Sequence, residues 1–450
     1  MKVNVIGGGL AGSEAAWQLA NAGFPVSLFE MRPICQTPAH RTGFLAELVC
    51  SNSLKSNALN TASGLLKEEM RRLDSLILRV AEEHALPAGS CLAVDRRGFS
   101  TSVTAILEGH PQMEIVREEV TSIPRDGLTI IATGPLTSPS LTGALNSLIE
   151  ESIESDPFSS SLSQKRGLLS FFDAISPIVS TESLDLGKVF RASRYGRGGD
   201  DYLNCPLDQE AYERFWEELA RAEIVGPRDF EIPFFEGCLP IEELGVRGKD
   251  ALRFGPMKPV GLIDPSTGKR PWAVVQLRLE NKEATMYSLV GFQTRMRRGE
   301  QRRVFRVIPG LEKAEFCRYG SMHRNTFLNS PTLVDKSLQW KTRSGLFFAG
   351  QITGVEGYVE SAATGLLAGI NAVSLLRGKP LEPPPRDTAL GSLVRYITEA
   401  HPEHFQPMNI NFGLFPPVEE GRKIPSRERR ERYANRSLAA LDRWKATHAA

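Results

Sequence analysis

The sequence predicts an α/β fold in which the two ends of the chain build one domain and the middle is inserted into it. Three observations predict this. A strand, a glycine turn, a helix, a second strand and an acid follow one another from Lys2 to Glu30. A strand ending in Ala-Thr-Gly reaches Gly134. A further strand, glycine and helix succession begins at Gly345.

Lys2 to Ile6 (KVNVI) is a β-branched run fit for a buried strand. Gly7, Gly8, Gly9, Leu10, Ala11 and Gly12 follow, and Ser13 to Ala22 favours helix until Gly23 closes it. Pro25 to Phe29 reads as the second strand. Gly7, Gly9 and Gly12 fit G-x-G-x-x-G in the right context. The first allows a tight turn, the second lets a pyrophosphate approach the backbone, and the third lets helix and strand pack closely. The pyrophosphate then sits on a helix N-terminus, where free N–H groups and the dipole favour negative charge. Glu30 ends the second strand where an acid holds a ribose hydroxyl. Arg32, just beyond, is a candidate for the adenosine end. These features predict a Rossmann-like domain.

Two later segments choose the dinucleotide. Leu128 to Pro135 (LTIIATGP) is a strand ending in the Ala-Thr-Gly turn common among FAD proteins of this fold, with Gly134 at the turn. Gly345 to Gly350 (GLFFAG) is a strand that leads through Gln351, Gly354, Val355, Glu356 and Gly357 into a small-residue helix. Such a unit supplies the flavin end of a pocket, because its helix N-terminus can polarise the ring. Gln351 stands where many flavoproteins carry an acid, and suits a ribityl or pyrimidine hydrogen bond. FAD is the expected cofactor, with NAD alone the lesser alternative.

If both ends meet on one FAD, residues 1–135 and 331–450 form a split FAD-binding domain, and 136–330 form a mixed α/β insertion and substrate domain. The Ser/Asp-rich stretch EESIESDPFSSSLSQKRG reads as a surface segment. AISPIVS, WAVVQLRL and YSLVGFQT read as strands, and the tail after Gly378 as a proline-rich connector with a helical ending.

Composition excludes several classes. Hydrophobic residues at 41% and charged ones at 24% are globular values. The net charge of +1 gives no global field for nucleic acid, so such a partner needs local patches. No apolar run approaches the ~20 residues of a membrane span. MKVNVIGGG is no signal peptide, so a cytoplasmic address is expected. His401 and His404, with no nearby cysteine or third histidine, read as solvated loop residues, and no metal is expected. Two basic clusters stand out. One runs from Arg295 to Arg306 and includes Arg297 and Arg302. The other is Arg422, Lys423, Arg427, Arg429, Arg430, Arg432 and Arg436. Arginine suits phosphate because its planar fork binds two oxygens; the interleaved glutamates of the second cluster equally suit a solvated helix face.

Six cysteines (Cys35, Cys50, Cys91, Cys205, Cys238, Cys317) include no C-x-x-C pair, which argues against a disulfide framework and a structural zinc site. Nothing local ranks Cys50 in LVCSNSLKSN or Cys238 in FFEGCLP above Cys205 in YLNCP.

VNVIGGGLAGSEAAWQLANAGFPVSLFEMRP, LVCSNSLKSN, YLNCP, FFEGCLPIEEL, FGPMKPVGL, MHRNT and GVEGYVESAATG together resemble the TrmFO family, the folate- and FAD-dependent tRNA uracil-5 methyltransferases of bacteria. The resemblance runs from Val3 to about Phe415. It implies methylation of carbon 5 of a tRNA uridine, T-loop position 54, to ribothymidine. The one-carbon unit comes from 5,10-methylenetetrahydrofolate by way of the reduced flavin, and NAD(P)H regenerates that flavin. It also implies that Cys238 is the nucleophile that adds to uracil carbon 6, and that Cys50 lies by the flavin as the base removing the carbon-5 proton. Lys258, His323 and Arg324 stand in matching motifs with chemistry suited to folate carboxylates or RNA phosphates. Cys35, Cys91 and Cys317 keep a structural, buried reading. The same chemistry on a ribosomal RNA uridine, or an FAD-dependent NAD(P)H oxidoreductase acting on a small molecule, are the alternatives.

Overall fold

A computed structural model describes residues 2–154, 167–196, 198–225, 239–418 and 424–448. The first strand, Val3–Ile6, is flanked by Val26–Phe29 on one side and Thr129–Ile131 on the other; Met113–Val116 and Leu346–Phe348 form the edges. Every pair in this five-stranded sheet is parallel. A parallel sheet is covered on both faces, which is why these strands read as unbroken apolar runs. Leu346 pairs with Thr129 and Asn4 pairs with the same residue from the other side, so the two ends of the chain share one sheet.

Helices seal this arrangement. The first helix, Leu10–Asn21, packs against the late helix, Tyr358–Leu376. A Cβ on Gly365 would collide with the Ala11 carbonyl, and one on Gly369 would come within 2.8 Å of the Gln18 Cβ. The two backbones therefore approach more closely than side chains permit. Among the described residues, Tyr358–Leu376 is long and apolar enough to cross a membrane, contrary to the sequence expectation. Its apolarity has another cause: it is packed on all sides, with fourteen of its residues buried, Leu366, Leu367 and Ala372 among them.

The middle of the chain builds a second sheet of six antiparallel strands in the order Phe190–Arg191, Tyr202–Leu207, Ala273–Leu279, Met286–Leu289, Ile178–Ser180 and Phe316–Arg318. Its core gathers Leu203, Phe215, Val275, Phe292 and Phe305. A two-stranded antiparallel ladder, Leu168–Ile175 with Ser321–Leu328, connects it to the first domain. The Rossmann-like domain is thus split by a mixed α/β insertion.

Two local expectations change. The start of the Ser/Asp-rich stretch, Glu150 and Glu151, is exposed as expected, but it forms the end of a helix, Pro139–Glu154. Trp340 donates its indole N–H to Ser152 Oγ at 2.9 Å there, and Leu141, Leu145 and Ile149 join the core of the parallel sheet. The rest of that stretch, 155–166, lies outside the described residues. Cys317, expected to be buried, is exposed on an edge strand, because strand alternation turns it away from the core.

The close helix pair yields a prediction. Gly365→Ala should lower stability by about 1–3 kcal/mol, since neither backbone can yield without shifting the sheet. Gly143, in the helix Pro139–Glu154, would place a Cβ where nothing lies within 4 Å. Gly143→Ala should raise stability by about 0.4–1 kcal/mol. Thermal or urea unfolding of the two variants would show opposite shifts; equal shifts would contradict this reading of the helix contact.

Candidate functional site

The glycine turn is built as its spacing requires. Gly7 N donates to Phe29 O at 2.8 Å, and a Cβ on Gly12 would collide with the Gly7 carbonyl. Gly9 is the first-turn cap of the first helix, and no side chain caps that terminus. A Cβ on Gly9 would meet nothing within 4 Å. Open space faces free N–H groups, which is an anion cradle.

Beside it runs a cleft lined by Gly7, Gly9, Glu30, Arg32, His40 and Thr133. Glu30 ends the second strand as expected, but its carboxylate is already engaged at all four acceptor positions. Oε1 accepts from Arg32 N and Nε, and Oε2 from Gly8 N and the second Arg32 guanidinium nitrogen, at 2.9–3.0 Å. Arg32 further reaches Glu47 at 3.1 Å. Burial opposes the charge on Glu30, yet the Arg32 bonds hold its carboxyl below the ordinary range. A ribose hydroxyl bound at Glu30 takes the place of one of these four bonds. Burial and the nearby Arg32 lower His40 to about 4, so its imidazole is neutral at pH 7.

Leu136 also borders a second cavity, of about 310 Å³, where three regions of the chain converge. Cys50 and Lys55 come from the N-terminal part; Arg278, Gly291 and His323 from the insertion and its ladder; Gln351, Glu356, Gly357 and Tyr358 from the late segment. Gln351 bonds the Glu356 carboxylate, and the Val355 to Gly357 turn is held where Glu356 N donates to Met408 O at 2.9 Å. Gly357 caps the late helix at φ 114, and a Cβ there would collide with Glu360.

Cys50 lies in this cavity with its sulfur 2.9 Å from the Tyr358 hydroxyl. That hydroxyl accepts the backbone N–H groups of Cys50 (2.7 Å) and Ser51 (3.2 Å), so its own hydrogen is left for the sulfur. Burial and the adjacent Cys50 push the Tyr358 phenol well above its ordinary range, which keeps it a donor. A donor aimed at sulfur favours the thiolate over the thiol. Cys205, in contrast, is fully buried on the strand Tyr202–Leu207 of the six-stranded sheet, and burial pushes its thiol far up.

Sequence reasoning missed what fixes the Cys50 loop. Arg96 donates to Leu48 O at 2.7 Å while paired with Glu280 at 2.8 Å. Asn52, fully buried, donates to Val94 O and Leu279 O and accepts from Arg278 Nε at 2.8 Å. A lone asparagine in a polar stretch carries no signal of such a role.

The other candidates are dispersed. His323 lines the cavity, 3.0 Å from Ser321 Oγ; burial, with Arg318 and Arg41, lowers its imidazole. Arg324 follows it on the ladder strand, its side chain outside the described residues. Lys258 is exposed on the insertion, away from the cavity lining. Cys238 lies outside the described residues, as do Arg422 and Lys423. The Arg295–Arg306 cluster is not a free basic patch. Arg295 is buried on Glu243, Arg303 pairs with Glu218 and Glu300, Arg306 bonds Ala314 O, Arg302 reaches the Tyr319 hydroxyl, and Arg297 is exposed near Glu223. In the C-terminal helix, Arg427–Glu431 and Arg432–Glu428 are the i,i+4 pairs of a solvated face. His401, Glu403 and His404 share an exposed turn.

A parallel sheet, a glycine cradle on a helix N-terminus and two joined compartments define a flavin-type dinucleotide protein. The shape fits FAD: the cleft beside Glu30 suits the adenosine half, and the cavity at the late helix suits the ring. Residues 2–380 match the family described as Glucose inhibited division protein A. The chain is 57% identical over 447 residues to a Geobacter sulfurreducens protein named Methylenetetrahydrofolate--tRNA-(uracil-5-)-methyltransferase TrmFO, covering 99% of each. It is 58% identical over 452 residues to the Symbiobacterium thermophilum protein of that name, covering 99% of this chain and 97% of the relative. Among solved structures it is similar to Aquifex aeolicus GidA, with TM-score 0.69 and 18% identity, over 98% of this chain and 75% of that one. The chain belongs to the glucose inhibited division protein A family, in its TrmFO branch.

Two tests follow from the geometry. Gly9→Val should fold, since a Cβ there meets no protein atom within 4 Å, yet purify without FAD; stoichiometric flavin absorbance in that variant would contradict the cradle. Tyr358→Phe should remove the hydroxyl held 2.9 Å from the Cys50 sulfur and change how fast that thiol is alkylated. The rate of Cys50 alkylation against pH, read by mass spectrometry, measures this, and an unchanged profile would remove Tyr358 from the assignment.

Proposed function

We propose that the chain methylates carbon 5 of a tRNA uridine, position 54 of the T loop, forming ribothymidine in the cytoplasm. The one-carbon donor is 5,10-methylenetetrahydrofolate, and NAD(P)H is the source of electrons for FAD. The observation that carries the reading is the meeting of Cys50 and its tyrosine donor with the flavin end of the cavity. The names of relatives at 57–58% identity support the substrate and the donor. The proposed domains are 1–135 with 331–450, and 136–330; the packing of Leu141, Leu145 and Ile149 supports carrying the first part on to Glu154.

Gly7, Gly9, Gly12 and the first helix hold the pyrophosphate, with Gly8, Leu10, Ala11, Glu30 and Arg32 around the adenosine half. Gly134, Gly350, Gln351, Gly354, Val355, Glu356 and Gly357 border the ring. When bound, reduced FAD supplies the electron pair that brings the one-carbon unit to the methyl level. Carbon 5 of uracil is a poor nucleophile. The Cys238 thiolate adds to carbon 6, and the resulting enolate lets carbon 5 bond to the one-carbon unit. Cys50, with the Tyr358 hydroxyl 2.9 Å from its sulfur, removes the carbon-5 proton. As that proton leaves, the bond between the one-carbon unit and its carrier would break to give an exocyclic methylene on uracil; the electron pair would add there as hydride, expelling the Cys238 thiolate and restoring the ring double bond.

An RNA carrying 5-fluorouridine separates the two thiols, because fluorine cannot leave as a proton does. Cys238→Ala should form no covalent adduct and no methylated uridine. Cys50→Ala should form the adduct but no product, since proton removal follows addition. One denaturing gel with labelled RNA compares them, and nucleoside mass spectrometry of tRNA and ribosomal RNA identifies the substrate. Adducts and methylation from both variants would end the thiol mechanism.

A further inference from the structure

The insertion carries an exposed surface that the reaction chemistry does not use. Between the short helix Ala251–Phe254 and the strand Ala273–Leu279, the chain makes an excursion anchored by Met257 and Leu262, both buried. Its outward side chains are unusual for a solvated loop. Phe254 is 81% exposed, Ile263 58% and Trp272 38%, and Tyr195, 60% exposed, packs on Gly261 of the same excursion. The Arg253 guanidinium stacks 3.7 Å from the Trp272 ring centroid. Lys258, Lys269 and Arg270 stand exposed on the same excursion. Both acids of the stretch are occupied: Asp250 pairs with Arg253, and Asp264 is buried and bonded to Ser266. The face is therefore cationic in a chain whose net charge is +1.

Resting on the proposed function, we infer that this aromatic and cationic face docks the RNA substrate, its rings stacking on unstacked loop bases while Lys258, Lys269 and Arg270 meet phosphates. Two physical reasons favour RNA over a protein partner. Exposed aromatic faces beside cations that make no ion pair among the described residues are the pairing that splayed nucleotides need. The face also continues to the rim of the reaction cavity. A Cβ on Gly291, which lines that cavity, would lie 2.7 Å from Pro256 of the excursion. Arg194, beside Tyr195, bonds Lys258 O, Val260 O and Gln276 Oε1, and Gln276 O accepts from the cavity residue Val290. RNA held here has its target base beside the cavity mouth. The Arg295–Arg306 cluster, whose arginines mostly bond within the protein, offers less to phosphate.

The test uses the full-length flavoprotein and an unmodified tRNA transcript. Phe254→Ala, at a site too exposed to disturb folding, should weaken tRNA binding roughly tenfold and Phe254→Tyr should restore it. KM for tRNA should rise while kcat at saturating tRNA is kept. Lys258→Gln with Arg270→Gln should flatten the salt dependence of binding by roughly 0.7–0.9 for each phosphate no longer neutralised. If the unaltered protein binds and methylates tRNA but these variants match it, the docking surface is overturned and the function stands. If the unaltered protein neither binds nor methylates tRNA, both fall. Unchanged tRNA binding with loss of self-association in Phe254→Ala would make the face a contact between copies, and would equally overturn the inference.

Discussion

The contact between the first helix and the late helix is the constraint on which the rest depends. The chain separates them by more than three hundred residues, yet Gly365 lies against the Ala11 carbonyl and Gly369 against Ala15 and Gln18. Such an approach is possible only without side chains, and it fixes two helix N-termini beside one parallel sheet. One terminus begins at the glycine cradle and the other at Gly357. A dinucleotide running between them would touch both ends of the chain.

The Cys50 loop shows how little of a thiol's surroundings is local. Cys50 sits in a polar stretch without regular structure, and its position is imposed from outside. Arg96 takes Leu48 O, Asn52 takes Val94 O and Leu279 O, and Tyr358 takes two amides and the sulfur. The bonds from Asn52 to Leu279 O, from Arg278 to Asn52 and from Arg96 to Glu280 all cross to the insertion. The insertion thereby sets the cavity wall and the placement of the thiol together, which couples substrate-side geometry to the flavin side.

Charge is used internally before it is offered to a partner. Glu30, Arg32 and Glu47 form a buried network around the glycine turn. The arginines of the 295–306 region mostly bond acids and carbonyls of their own domain. A basic run in a sequence gives the number of cations, whereas their availability depends on whether acids such as Glu218, Glu243 and Glu300 fold against them.

The Rossmann-like unit was legible from the residues alone, because strand, glycine spacing and helix are local and periodic. The sequence also marked the late glycine segment, the family, and Cys50 by likeness. The tertiary structure decided the rest, for reasons of distance along the chain. Glu30's saturation by Arg32 and Gly8 depends on a side chain folding back. The Tyr358 donor stands 308 residues from Cys50. Asn52's role needs strand Ala273–Leu279 brought beside it. The exposed rings of Phe254 and Trp272 read as ordinary apolar residues until packing buries their neighbours Met257 and Leu262 and leaves them in solvent. Local pattern specifies an element; which side chains then meet, or fail to, is set by the packing of elements far apart in sequence.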